Sequence, residues 1–103
     1  MLYILDTANV DVIRHCNEFY PVAGVTTNPS IISHENADFW ELITEIRSII
    51  GPDKMLHVQT VQKTAEGMVA EAKLIQKRIG GNFFVKIPIS EEGLKATMAL
   101  KKL

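Results

Sequence analysis

Lys86 stands inside Phe83-Phe84-Val85-Lys86-Ile87-Pro88, a charged residue among five apolar neighbours in a run that reads as a strand. An amine so placed must reach solvent, pair with a carboxylate, or give up its proton. Burial can lower a lysine pKa by several units, up to roughly 3–5, and a neutral amine is a nucleophile. Its attack on a ketone or aldehyde gives a Schiff base, an electron sink for breaking or making a neighbouring C–C bond. The plainer alternative is a buried Lys–Asp ion pair, and burial alone does not separate the two. Asp6 closes the opening run Leu2-Tyr3-Ile4-Leu5 and could move protons or hold a substrate hydroxyl. It could equally cap or brace the Thr7-Ala8-Asn9 turn that follows.

Other polar residues end apolar runs in the same way. Thr26-Thr27-Asn28-Pro29-Ser30 reads as strand, loop and helix start, with Pro29 suited to a first helical position and Asn28 or Thr27 able to cap. Capping accounts for one of these polar groups, not all. Gln59 can orient a water or bond a substrate hydroxyl, although a glutamine at a strand end more often serves a loop. His57, two residues before it, falls on the same strand face, where a packed, hydrogen-bonded histidine is the expectation. His15 and His34 read as peripheral, and Phe39, Trp40 and the methionines as packing residues. No phosphate-binding glycine loop, Cys/His metal spacing, HExxH or GxSxG motif occurs. A phospho-receiver reading fails because the third strand ends in Gln59 where an acceptor aspartate is required.

These residues need strands to place them, and four runs serve: Leu2–Leu5, Ala23–Thr26, Met55–Val58 and Phe83–Ile87. Each precedes a helical pattern. Val10–Phe19 follows an Asn9 cap, with Val12, Cys16 and Phe19 marking its apolar side. Asp38 and Glu41 open a second helix with Phe39, Leu42, Ile43, Ile46 and Ile50 as its stripe, stopped by Gly51-Pro52. A third runs from about Thr64 to Ile79, turning Met68, Val69, Ala72, Ile75 and Ile79 inward before Gly80-Gly81, with Gly67 weakening its first turn. The fourth opens at Ser90, with Glu91 and Glu92 at the positive end of its dipole, and continues through Leu94 and Met98 to Lys101-Lys102-Leu103.

Alternation of this kind predicts parallel strands with right-handed crossovers, because antiparallel neighbours need no helix between them. The count fits half of a (β/α)8 barrel or a small doubly wound sheet. A fourth helix without a glycine cap or following strand points to an open architecture whose later units are absent or come from another chain. In either case a ligand site is expected at the carboxyl ends of the strands.

With 103 residues, 47% hydrophobic and 22% charged, the composition is that of one small soluble globular domain, and residues 1–103 are read as a single (βα)4 unit. A net charge of −1 with scattered Lys and Arg offers no basic surface for nucleic acid. No apolar run spans a bilayer, and the opening run is too short for a signal segment, so no membrane partner is expected. One cysteine, Cys16, cannot form an internal disulfide, which makes a reducing compartment, the cytoplasm, the expected location.

Leu5-Asp6-Thr7-Ala8, Ala23-Gly24-Val25-Thr26-Thr27-Asn28-Pro29-Ser30-Ile31-Ile32, Val58-Gln59-Thr60, Ala65-Glu66-Gly67-Met68-Val69 with Glu71-Ala72, and Val85-Lys86-Ile87-Pro88 together closely resemble the transaldolase family, in particular its short fructose-6-phosphate aldolase branch. The resemblance runs the length of the chain. It implies the N-terminal half of a transaldolase-like barrel and a class I aldolase without metal or organic cofactor, acting on ketose sugars such as fructose 6-phosphate through dihydroxyacetone units. By position Lys86 matches the Schiff-base lysine, Asp6 the acid/base carboxylate and Gln59 the water-positioning site. Asn28 matches a sugar-contacting asparagine, with Thr26 or Thr27 beside it. Glutamine in place of the glutamate of transaldolases tilts the resemblance towards aldolases that release a free ketone.

Members of that family continue through strands five to eight, which carry the rest of the proton relay and the phosphate grip. A half-barrel exposes two strand edges and an apolar inner face, so homo-oligomerisation is expected. The alternative to an active enzyme is a catalytically silent truncated half-barrel that mainly self-associates. Generic small-molecule binding has only the strand-end polar residues in its favour.

Overall fold

The computed structural model describes residues 2–28, 35 and 38–102. Among them four strands alternate with four helices: β1 (Tyr3–Asp6), α1 (Val10–Phe19), β2 (Val22–Thr26), α2 (Phe39–Ile50), β3 (Met55–Gln59), α3 (Ala65–Ile79), β4 (Phe83–Lys86) and α4 (Glu91–Lys101). The expected helix start at Pro29-Ser30, and His34, lie outside the described residues.

Each helix begins where a short polar side chain replaces a missing turn. Asn9 Oδ1 accepts from the amides of Asp11 and Val12, both at 3.1 Å. Asp38 accepts from the amide of Glu41 at 3.1 Å, Thr64 from Gly67 at 3.1 Å and Ser90 from Gly93 at 3.0 Å. Such caps satisfy amides that the helix itself leaves unpaired. Gly51 (φ 83°) and Gly80 (φ 58°) end α2 and α3 in left-handed conformations that L side chains avoid.

The strands form one parallel sheet in the order β1-β2-β3-β4. A doubly wound sheet reverses its strand order partway; this one does not, and it is the (βα)4 half of a (β/α)8 barrel. Alternation along the strands then divides their side chains between two faces. On one face Val25, Leu56 and Val58 are fully buried against Ile13 of α1, Leu42, Ile43 and Ile46 of α2 and Ile75 of α3. The other carries Ile4 and Asp6, Gly24 and Thr26, Met55, His57 and Gln59, and Phe84 and Lys86, and no helix covers it among the described residues.

The second helix buries Leu42, Ile43, Ile46 and Ile50 and the third Met68, Ala72 and Ile75, as expected, while Phe39, Val69 and Ile79 are only half-buried. The first departs from expectation: Ile13 enters the core, while Val12 and Phe19 remain 44% and 64% exposed. An edge helix has two apolar directions, one towards the sheet and one sideways, and spacing alone favours the longer row. In α4 the small residues Gly93 and Ala96 are buried, and Leu94 and Met98 stay 57% and 65% exposed. Gly93 seats that helix: a Cβ there would lie 1.9 Å from the carbonyl oxygen of Pro88. Gly24 does the same between strands, since its Cβ would meet the Met55 carbonyl oxygen at 2.4 Å.

Arg47 is buried, yet it is a clamp rather than an ion-pair partner. Its Nη1 donates to the carbonyls of Gly51 at 3.0 Å and Lys54 at 2.7 Å, fixing the turn between α2 and β3. Nε and Nη2 have no partner among the described residues, and burial holds the guanidinium below its usual pKa.

Candidate active site

Lys86 is the last residue of β4 and is half-buried on the uncovered face. Its Nζ donates a 2.8 Å hydrogen bond to Thr26 Oγ1 on β2, so the side chain crosses β3 to make it. Among the described residues no carboxylate lies within ion-pair distance of this amine. The buried Lys–Asp pair is therefore not what the strand contains. A hydroxyl partner orients an amine without neutralising its charge, as a carboxylate would.

Register places the remaining groups around that bond. Gln59 pairs with Lys86, and Thr26 is flanked by Asp6 on β1 and His57 on β3. Asp6 is exposed, and the caps and turn bonds after β1 are made by other residues: Thr7 Oγ1 accepts from the Asn9 amide at 3.1 Å. That frees Asp6 of the bracing role open to it in sequence. Asn28 lies half-buried just beyond β2.

The two threonines separate. Thr27 is fully buried on the helix side, where its amide and Oγ1 donate to the His57 carbonyl at 2.9 and 3.2 Å. Of the two threonines carried by the resemblance, Thr26 shares the uncovered face with Lys86, and Thr27 lies on the buried side.

His57 forms the floor beneath the lysine. Its ring stacks on Phe84 with centroids 4.8 Å apart and planes 14° from parallel. It is packed as expected but not hydrogen-bonded as expected, because Nε2 is buried without a partner among the described residues. Burial first, and the Lys86 charge second, push its pKa below the usual 6.5. Both favour the uncharged imidazole.

Two carboxylates whose loop contacts were not read from the sequence fix the loop after β3. Glu71 Oε1 accepts from the Val61 amide and Glu92 Oε1 from the Ala65 amide, each at 3.0 Å. That amide, and then Lys95, hold the Glu92 carboxyl below the usual range. In sequence Glu92 reads only as an acid at the positive end of a helix dipole; the loop contacts span 10 and 27 positions. A separate cleft of about 400 Å³ lies on the helix side of β4, between α3 and α4, lined by Ala72, Gln76, Phe83, Val85 and Leu100 among others, away from the lysine. No helix among the described residues is long and apolar enough to cross a membrane.

A lysine at the carboxyl end of a barrel strand, ringed by Asp, Thr, Gln and His, sets the frame for comparison with known proteins. The family model described as Transaldolase/Fructose-6-phosphate aldolase matches residues 3–103. A protein of Streptococcus pneumoniae described as a probable fructose-6-phosphate aldolase is 40% identical over 103 residues, covering 99% of this chain and 46% of that protein. The chain thus spans about half the length of the curated relative it matches. Motif, strand order and a match over nearly every residue agree, and the chain belongs to the transaldolase/fructose-6-phosphate aldolase family.

Proposed function

We propose that this chain supplies the nucleophilic half of a class I aldolase site acting on ketose sugars or their phosphates. The observation that carries the reading is the Lys86–Thr26 bond: a lysine held by a neutral hydroxyl on the uncovered face, with no carboxylate neutralising it among the described residues. The Lys86 Nζ lone pair adds to the ketose carbonyl carbon, and loss of the former carbonyl oxygen as water leaves an iminium. A base, for which Asp6 is the candidate, takes the proton from the β-hydroxyl. The Cα–Cβ bond breaks, its electrons flow to the iminium nitrogen, and an aldehyde departs from the resulting enamine. Protonation and addition of water then release the ketone and restore Lys86, with Gln59 placed to orient that water. Asn28 and Thr26 hold sugar hydroxyls, and the reaction calls on no metal or organic cofactor.

Capture of the enamine by an acceptor aldehyde instead of a proton turns the same site into a transaldolase. The Phosphopentose and hexose pools of the cytoplasm are where such substrates occur. A second reading, a catalytically silent self-associating half-barrel, draws support from the exposed Tyr3, Ile4 and Phe84 of the sheet.

Borohydride trapping decides between them. The chain is incubated with dihydroxyacetone or fructose 6-phosphate, reduced, weighed intact and mapped by peptide. An adduct confined to Lys86 is expected; no adduct, or label spread over surface lysines, favours the silent half-barrel.

A further inference from the structure

Gln59 and Lys86 are register partners at the carboxyl ends of β3 and β4, and each strand runs on into a loop that ends at a helix start. The strand pairing outlasts the strands by one bond, the Thr60 amide donating to the Lys86 carbonyl at 3.0 Å. Beyond that bond the two loops are held differently. The loop after β4 is locked by packing, because Gly93 sits where a Cβ would lie 1.9 Å from the Pro88 carbonyl oxygen. The loop after β3 is exposed at Val61, Gln62, Lys63 and Thr64, so no apolar side chain anchors it between Thr60 and Ala65.

Carboxylates anchor it instead. Glu71 of α3 accepts from the Val61 amide near its start and Glu92 of α4 from the Ala65 amide at its end, each at 3.0 Å. Ala65 is the first residue of α3, and its amide is one that a helix leaves unpaired; the cap, Thr64, is engaged with Gly67. Glu92 also stands in the first turn of its own helix, so its charge lies at the positive ends of two dipoles, with Lys95 Nζ 3.2 Å from its other oxygen. The contacts close into a circuit. From Lys86 it passes through Pro88 and Gly93 to Glu92, across to Ala65, back by Glu71 to Val61, and through the Thr60 amide to Lys86 again. A cap serves one helix, whereas Glu92 joins the helix that follows Lys86 to the helix that follows Gln59.

We propose that Glu92 is a positioning residue for Gln59: by strapping the start of α3 to the start of α4 it holds the end of β3 against the end of β4 and keeps Gln59 opposite Lys86. Because the seat of Gly93 on Pro88 holds β4 independently, loss of the strap loosens the Gln59 side and spares the lysine. The affected step is then the one that needs an ordered water, in which the iminium and one water give the free ketone and the Lys86 ammonium, and not the attack of the amine. That kinetic consequence rests on the aldolase reading; the strap itself does not.

Amide hydrogen exchange, read residue by residue on the 103-residue chain, tests the strap without calling on activity. Glu92→Ala raises exchange about tenfold at Ala65, which loses its acceptor, and also at Thr60, whose acceptor belongs to Lys86. The Leu56 amide, bonded to the Asn82 carbonyl at the far end of the same strand pair, stays within about twofold of wild type. Glu92→Gln, whose side-chain oxygen can still accept from Ala65, recovers most of the protection at both sites. In borohydride trapping, Glu92→Ala forms the Lys86 adduct within about twofold of the wild-type rate and releases it about fivefold more slowly. Faster exchange at Ala65 alone would make Glu92 a local cap and overturn the proposal. So would equal acceleration at Leu56, a glutamine variant as loose as the alanine one, or formation and release slowed alike. A wild type that forms no Lys86 adduct, but whose Thr60 amide is loosened by Glu92→Ala, overturns the aldolase reading and leaves the strap standing.

Discussion

The Lys86 amine and the Thr26 hydroxyl are joined by a 2.8 Å hydrogen bond that spans the intervening strand, although the two residues are sixty positions apart. The bond fixes the long, flexible lysine side chain at its reactive end. Thr26→Val, which keeps the shape and removes the hydroxyl, is expected to slow adduct formation by about tenfold while leaving the fold in place. Thr26→Ser should recover most of the rate. Equal trapping rates in all three proteins would show that the bond does not position the amine.

Replacing Lys86 separates chemistry from packing. Lys86→Met retains the apolar stem and removes the nucleophile, so the borohydride adduct should vanish while the urea midpoint moves little. A midpoint drop corresponding to more than about 2 kcal/mol would identify the lysine as a structural support instead.

Stability should depend on His57 in a defined pH direction. Its folded-state pKa lies below 6.5 and its unfolded value near 6.5, so between the two the unfolded chain binds more protons. This histidine's contribution is therefore complete above about pH 6.5, is lost as pH falls below it, and levels off once the folded state protonates too. Urea midpoints of wild type and His57→Phe across pH 8 to 5 measure the effect. The phenylalanine variant keeps the stack on Phe84 and should lose that part of the slope; identical slopes would place the effect elsewhere.

Gly93 offers a steric test. Alanine is the better helix former by about 1 kcal/mol, yet its Cβ would lie 1.9 Å from the Pro88 carbonyl oxygen. The clash is with backbone, so α4 must move off the end of β4. Gly93→Ala should cost about 1–3 kcal/mol net in chemical denaturation, the sign opposite to that of helix propensity alone.

Arg47 tests the value of a clamp without a counter-ion. Arg47→Ala loses the bonds to Gly51 and Lys54 together with the buried stem, for an expected cost of about 2–4 kcal/mol. Arg47→Met keeps the stem and leaves no unpartnered nitrogen buried, so it should cost less than half as much. Calorimetry or urea titration of the pair gives the answer.

Much of this was legible in the sequence because the signals were local. Asn9, Asp38, Thr64 and Ser90 announced the four helix starts, and alternating apolar runs announced the strands that place Asp6, Gln59 and Lys86 at their carboxyl ends. What was not legible depends on register and neighbours. Thr26 and Thr27 look equivalent until the pleat assigns one to each face. Val12 and Phe19 form a respectable helical stripe, but it points sideways from an edge helix, and the core takes Ile13 instead. His57 could be placed with Gln59, whereas its stack on Phe84 required the pairing of β3 with β4.

The division of each strand between a helix-packed side and an uncovered side means that two messages are written in alternate letters of one segment. In β3, Leu56 and Val58 specify the assembly of the domain while His57 and Gln59 are available to chemistry, so either set can drift without editing the other. Substitutions respect that grammar; insertions do not. One extra residue ahead of Val25 would move Thr26 to the position of Thr27, burying the hydroxyl that holds Lys86 and turning Val25 out of the core at a single stroke.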